Sequence, residues 1–231
     1  MVQKMKKTSI HIITFVAVFF HGGCQYAPFI GLFGTPGYHE RTVTAEYDLT
    51  ERTDQKILVL VDQPGWLDAQ PNLRFYLTRA INKDLVRKVK IPAESLVSYN
   101  ELSKFRSNQS DFSLLSPVEI GTAVDANMVL LVVVEDYRLN KMTEGGYYEG
   151  FLGTRSALFD TATVEKLWPK LAASKSVTVG FEVESSGREA AVARLAMACA
   201  HCTTRYLYDC PKNRFKIIED RSRVGWEKWQ K

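Results

Sequence analysis

Two stretches of this sequence are apolar without a break: KILVLVD at residues 56–62 and NMVLLVVVEDY at residues 127–137. A half-exposed strand alternates apolar with polar residues, so an unbroken run marks a strand covered on both faces. At these lengths neither run is a membrane span, which needs ~20 apolar residues. The chain must therefore build a sheet with layers of structure against it.

The segments between and after these runs supply those layers. Asp62-Gln63-Pro64-Gly65 ends the first strand. Leu73, Leu77, Ala80, Ile81 and Leu85 then follow at helical spacing, with Lys and Arg on the other side. A short strand is expected at residues 95–98, and Asn100 is expected to cap a helix through about Phe105. Ser116, Pro117 and Glu119 carry a capping box with proline in the first turn, so a helix should run to about Val124. Val43, Ala45, Tyr47 and Leu49 alternate with polar residues as in an edge strand.

After the second run the pattern turns to hairpins. Gly145-Gly146 precedes YYEGFLG, TRSALFD and EKLWP. Val177, Val179, Phe181 and Val183 then alternate with polar residues and glycine. A long helix is predicted over about 186–208, with Val192, Leu195, Cys199, Cys202 and Tyr206 as its apolar stripe. The fold class is thus α/β (α+β), a single sandwich. Its mixed sheet has central strands at about 56–62 and 127–137 and an antiparallel meander at about 147–184, with helices packed against it.

The amino-terminal residues set the compartment. Lys4, Lys6 and Lys7 precede an apolar stretch at residues 10–20, the layout of a secretory signal. Gly22-Gly23-Cys24 closes it. These residues resemble the lipobox of bacterial lipoproteins, although His21 stands where that pattern usually has an aliphatic residue. The resemblance implies cleavage between Gly23 and Cys24 and a lipid on Cys24; Gln25 then implies sorting to an outer membrane. The expected organisation is a signal peptide at 1–23, a Gly/Pro-rich tether at 24–42, an α/β domain at 43–210 and a tail at 211–231 holding Phe215, Ile217, Ile218, Trp226 and Trp229. The signal region holds three of the 30 basic residues and none of the 26 acidic ones, so the mature chain is nearly neutral. With no basic stripe interleaved with aromatics, nothing argues for nucleic-acid binding.

Two further stretches carry a resemblance: PVEIGTAVDANMVLLVVVEDYRL at 117–139 and ALFDTATVEKLWP at 157–169. The second is similar to an envelope-protein hairpin that can be written l-x-D-x-x-T-G-x-x-x-W. Asp160, Thr163 and Trp168 match it, and Val164 replaces the glycine. Together with the first strand they resemble small periplasmic lipoprotein domains. Those domains are the curli-secretion lipoprotein, the lipoprotein activators of penicillin-binding proteins and the amino-terminal domain of the Tol translocation protein. The resemblance implies a fold and a compartment more than an activity. Asp160 also has a local role: it can accept amides two and three residues on and so shape the turn.

Chemistry-bearing residues are sparse. Of His11, His21, His39 and His201, only His201 lies in the domain. It stands between Cys199 and Cys202, so the Cys-x-x-Cys-His of haem attachment is absent. On a helix His201 points ~100° away from Cys202, which argues against a zinc site with Cys199, Cys202 and Cys210. Those three cysteines are either core residues or include a disulfide, for which Cys202 and Cys210 are the candidates. No nucleophile elbow, phosphate-binding loop or zinc-protease motif occurs. A hydrolase would rest on carboxylates such as Asp62, Asp68, Glu135 and Asp136, for which solvated strand ends are the commoner explanation. Tyr147, Tyr148 and Phe151 are candidates for a partner surface, or else for the core.

The expected protein is a lipid-anchored envelope component on the periplasmic face, held to the membrane through Cys24. It binds another envelope protein, with no cofactor, no metal and no catalytic residue. Alternatives are a subunit of an outer-membrane secretion channel, whose strands need ~9–11 residues each, or a hydrolase built on carboxylates. Tyr147 to Asp160 is the one membrane-strand candidate, and it carries Glu149 and Arg155.

Overall fold

The computed structural model describes residues 41–67 and 72–215. The chain divides between Glu40 and Arg41, and every described residue belongs to the second unit. The expected signal peptide, Cys24, most of the tether and the tail beyond Phe215 lie outside the described residues.

The strands are β1 (Thr42–Val43), β2 (Ile57–Asp62), β3 (Met128–Lys141), β4 (Tyr147–Asp160), β5 (Lys166–Trp168), β6 (Lys175–Glu184) and β7 (Cys210–Pro211). The helices are α1 (Leu73–Asp84), α2 (Tyr99–Asn108), α3 (Pro117–Ala123) and α4 (Arg188–Thr204). A π-helical turn, Leu85–Val89, extends α1, and a short helical turn, Lys212–Phe215, follows β7. The main sheet is mixed and five-stranded. β2 runs parallel to β3, β3 antiparallel to β4, and β5 and β6 both pair with β4, beside different parts of it. β1 and β7 form a separate two-stranded ribbon.

The first apolar run is covered on both faces, and the second over its first half. Ile57, Val59, Val61, Leu130, Val132 and Val134 join the larger core with α1 and α4. Leu58, Leu60 and Val129 join the smaller core with Leu102 of α2 and Ile120 of α3. Ser116 caps α3 as expected: its hydroxyl accepts from Glu119 N at 3.2 Å, and the Glu119 carboxylate accepts from Ser116 N at 2.7 Å.

Several expectations change. The edge strand over Val43 to Leu49 shrinks to β1, because the chain turns inward and buries Leu49 in a 3-10 turn. The strand at 95–98 reduces to one bridge between Ile57 and Leu96. Ser98, not Asn100, caps α2, accepting from Glu101 N at 3.1 Å. YYEGFLG and TRSALFD are one continuous strand, β4, long enough to pair with β6 over one stretch and β5 over the next. The long helix is shorter than expected, spanning Arg188–Thr204, with Tyr206 beyond its end.

Candidate partner interface

The sheet outgrows its cover. β2 pairs with β3 only as far as Val133, and the register shifts between Val134 and Asp136. On the α2/α3 side, the smaller core takes only Val129 and Leu131 from β3. Beyond them β3, β4 and β6 continue as a three-stranded wing. Its inner face stays buried, since Tyr137, Leu139, Tyr148, Leu152, Val177 and Val179 pack with Val192 and Leu195 of α4. Its outer face, on which Arg138, Phe151 and Gly180 lie side by side in register, gains no helix among the described residues. The far edge of β6 and that of residues 134–141 have no partner strand among the described strands.

An aromatic–arginine patch occupies that outer face. The half-buried Phe151 ring lies beside Gly153 and Gly180, where a Cβ would stand 3.7 and 3.8 Å from the ring, in ordinary van der Waals contact. The Arg138 guanidinium stands 4.8 Å from the Phe151 ring centroid, and its Nη2 is 2.9 Å from Asp136 Oδ2. Arg155 Nε bonds Glu135 Oε1 at 2.5 Å. The Tyr147 hydroxyl donates to Glu182 Oε2 at 3.5 Å, and Glu149 and Glu184 are exposed nearby in the register. Exposed arginine beside an aromatic ring is the composition of binding surfaces.

The candidate trio therefore separates. Tyr147 and Phe151 share the outer face. Tyr148 points the other way and is 6% exposed, in the core against α4. The correction follows from strand geometry, since adjacent residues alternate faces. Of the carboxylates, Glu135 and Asp136 are each tied to an arginine, Asp62 is exposed at the end of β2, and Asp68 lies outside the described residues. Among the described residues no three His, Cys, Asp or Glu side chains are placed to hold a metal ion, and no helix is long and apolar enough to cross a membrane.

Cys199, Cys202 and Cys210 are buried thiols, as in the core reading, and the candidate Cys202–Cys210 disulfide is not formed. Cys202 is on the packed face of α4, while Cys210 is drawn into β7 opposite Val43, its sulfur accepting the Tyr208 hydroxyl at 3.4 Å. Thr154 Oγ1 is 3.3 Å from Cys199 Sγ, and burial pushes that thiol up to about 11.

A second polar cluster lies where α1, α4 and the carboxyl-terminal segment meet, and nothing in the sequence pattern singled it out. Lys88 Nζ, from the π turn, bonds Asp84 Oδ2 at 2.6 Å, and the Thr204 hydroxyl donates to the same oxygen at 3.3 Å. Lys88 Nζ also lies 3.0 Å from His201 Nδ1, and His201 Nε2 lies 2.9 Å from the Arg214 carbonyl. Burial raises the Asp84 carboxyl and lowers the Lys88 ammonium, while their contact opposes both shifts. Burial, then the Lys88 charge, push His201 down to about 3. An Asp–Lys pair at i, i+4 reads in sequence as a solvated helix pair; only the tertiary contact with α4 buries it.

No family model matches the chain, and no curated protein matches it. Lipoprotein GNA1162 from Neisseria meningitidis is among the solved structures similar to it, at 16% identity and TM-score 0.38, covering 62% of this chain and 92% of that one. The PelC dodecamer from Paraburkholderia phytofirmans is similar at 16% identity and TM-score 0.39, covering 73% and 96%. The LpoB C-terminal domain from Salmonella enterica is similar at 19% identity and TM-score 0.35, covering 59% and 84%. The neighbours thus include a lipoprotein, the class the sequence resembles; at these scores none assigns an activity, ligand or partner to this chain.

Proposed function

We propose that this chain is a lipid-anchored accessory protein of the bacterial envelope that binds another envelope protein and catalyses no reaction. The observation that carries the binding role is the wing: three strands whose inner face belongs to the core and whose outer face presents Arg138, Tyr147 and Phe151 with no covering helix among the described residues. A sheet face with open edges offers a partner both side-chain contacts and strand addition. The anchor rests on the basic and apolar amino-terminal segment and on Gly22-Gly23-Cys24, with the lipid holding the protein on the periplasmic side of the outer membrane.

The anchor is tested by growing cells with a radiolabelled or clickable palmitate. The wild-type chain should take up label and fractionate with the outer membrane, and Cys24→Ala should take up none. A wild-type chain that matures without label removes the anchor from the account.

A further inference from the structure

His201 holds the carboxyl-terminal segment in a way that only one protonation state allows. The ring is 1% exposed, and both nitrogens are engaged: Nδ1 at 3.0 Å from Lys88 Nζ, Nε2 at 2.9 Å from the Arg214 carbonyl. An ammonium only donates and a carbonyl only accepts. The ring is therefore neutral with its proton on Nε2, donating to Arg214, while Nδ1 accepts from Lys88. A second proton would have to go on Nδ1, against the ammonium.

The surroundings offer that proton little compensation. Lys88 faces the ring from the turn after α1, Arg205 from just past α4 and Arg214 from the strap; behind them, Asp84 and Cys210 act on Lys88, and the Tyr208 hydroxyl bonds Cys210. The cations Lys88, Arg205 and Arg214 outnumber the single carboxylate. Residues 211–215 also hold on through other ties. Arg205 Nη1 donates to the Phe215 carbonyl, and Lys212 N–H donates to the Arg41 carbonyl at 2.7 Å. Thr42 and Val43 pair with Pro211 and Cys210.

We propose that residues 211–215 form an acid-released strap, latched while the His201 ring is neutral and let go when it is protonated, with the β1–β7 ribbon opening alongside. Release frees residues 41–43 from their pairing, and these are the residues through which the amino-terminal segment joins the domain. The inference stands whether or not Cys24 carries a lipid.

The sign follows from linkage. Closed, the ring is held at about 3 by burial and Lys88; open, it returns to about 6.5. Between those values the open form binds more protons, so opening grows by up to about tenfold for each pH unit below 6.5. Asp84 acts in the opposite sense. Its carboxyl is raised in the closed form, so acid strengthens closing as pH falls through that raised value, and the dependence flattens there. Lys88 is lowered from 10.5, so closing strengthens as pH rises toward that value. Cys210 and Tyr208 are both raised, so closing weakens as pH climbs above their ordinary values near 9.0 and 10.0. Cys210 and Tyr208 therefore act on the alkaline side, away from the window that His201 governs.

Amide hydrogen exchange on the full mature chain between pH 7.5 and 5, corrected for intrinsic rates, reads the latch directly. Protection at Lys212 should fall about tenfold per pH unit below 6.5, with β3 unchanged. In His201→Gln, which keeps a donor for Arg214 but does not titrate, protection should not fall as the pH drops. Imidazole NMR on the wild-type chain gives a second reading that needs no variant. It should show a neutral Nε2–H ring at pH 5.5 in the strapped form. Constant strap protection across the range overturns the proposal. So does the same pH dependence in His201→Gln, or a ring that titrates near 6.5 with the strap in place.

Discussion

In the turn after β4, Asp160 accepts the amides of Ala162 and Thr163 at 2.9 Å each, and the next residue, Val164, adopts φ +61°. A β-branched side chain is strained in that left-handed region, where glycine is not. Val164 is 66% exposed, so little packing compensates. Val164→Gly should raise stability by about 0.5–1 kcal/mol, net of the extra freedom glycine gives the unfolded chain. Urea titration measures this, and an unchanged or lower midpoint would contradict the strain. At this scale the sequence was legible where chemistry is local: Asp160 binds amides of its own turn, and Val164 stands where the hairpin pattern has glycine. It was not legible where two residue types compete on one strand. YYEGFLG carries aromatics on both faces, and only the packing of Leu139, Phe181 and Leu195 around Gly150 decides which face is inward.

The elements were predicted best where a run or a cap is self-sufficient. β2, β3, α1 and α3 lie close to their expected positions because unbroken apolar runs, helical spacing and a capping box each specify themselves. Elements that depend on partners were misjudged. Residues 95–98 have strand-forming character but meet β2 at a single bridge, and β4 is continuous because β5 and β6 share its length. The approach of α3 to the sheet turns on one residue. A Cβ on Gly121 would come within 2.3 Å of Val129 Cγ2 and 2.8 Å of Thr161 Cγ2, neither of them on a long flexible side chain. Gly121→Ala should therefore push α3 off β3 and cost about 1–3 kcal/mol. Chemical denaturation should show an earlier midpoint with an unchanged slope; a wild-type midpoint would mean the helix shifts without cost.

Across the whole molecule, cover and function trade places along the sheet. Near β2 both faces are spent on packing, by α1 and α4 on one side and α2 and α3 on the other. Past the irregularity at Glu135 only the α4 side is spent, and the wing keeps an outer face that none of the other described elements covers. The sequence foretold the sandwich and named two residues of this face, Tyr147 and Phe151. It did not reveal the wing, because the end of β2 and the reach of the smaller core are tertiary facts. This face is where an envelope partner should bind. A photoreactive phenylalanine analogue at Tyr147, with a second chain carrying it at Lys104 on the exposed side of α2, tests that claim in intact cells. A partner on the wing gives a discrete cross-linked adduct from position 147 and none from position 104. An adduct from 104 alone, or from neither position, would contradict it.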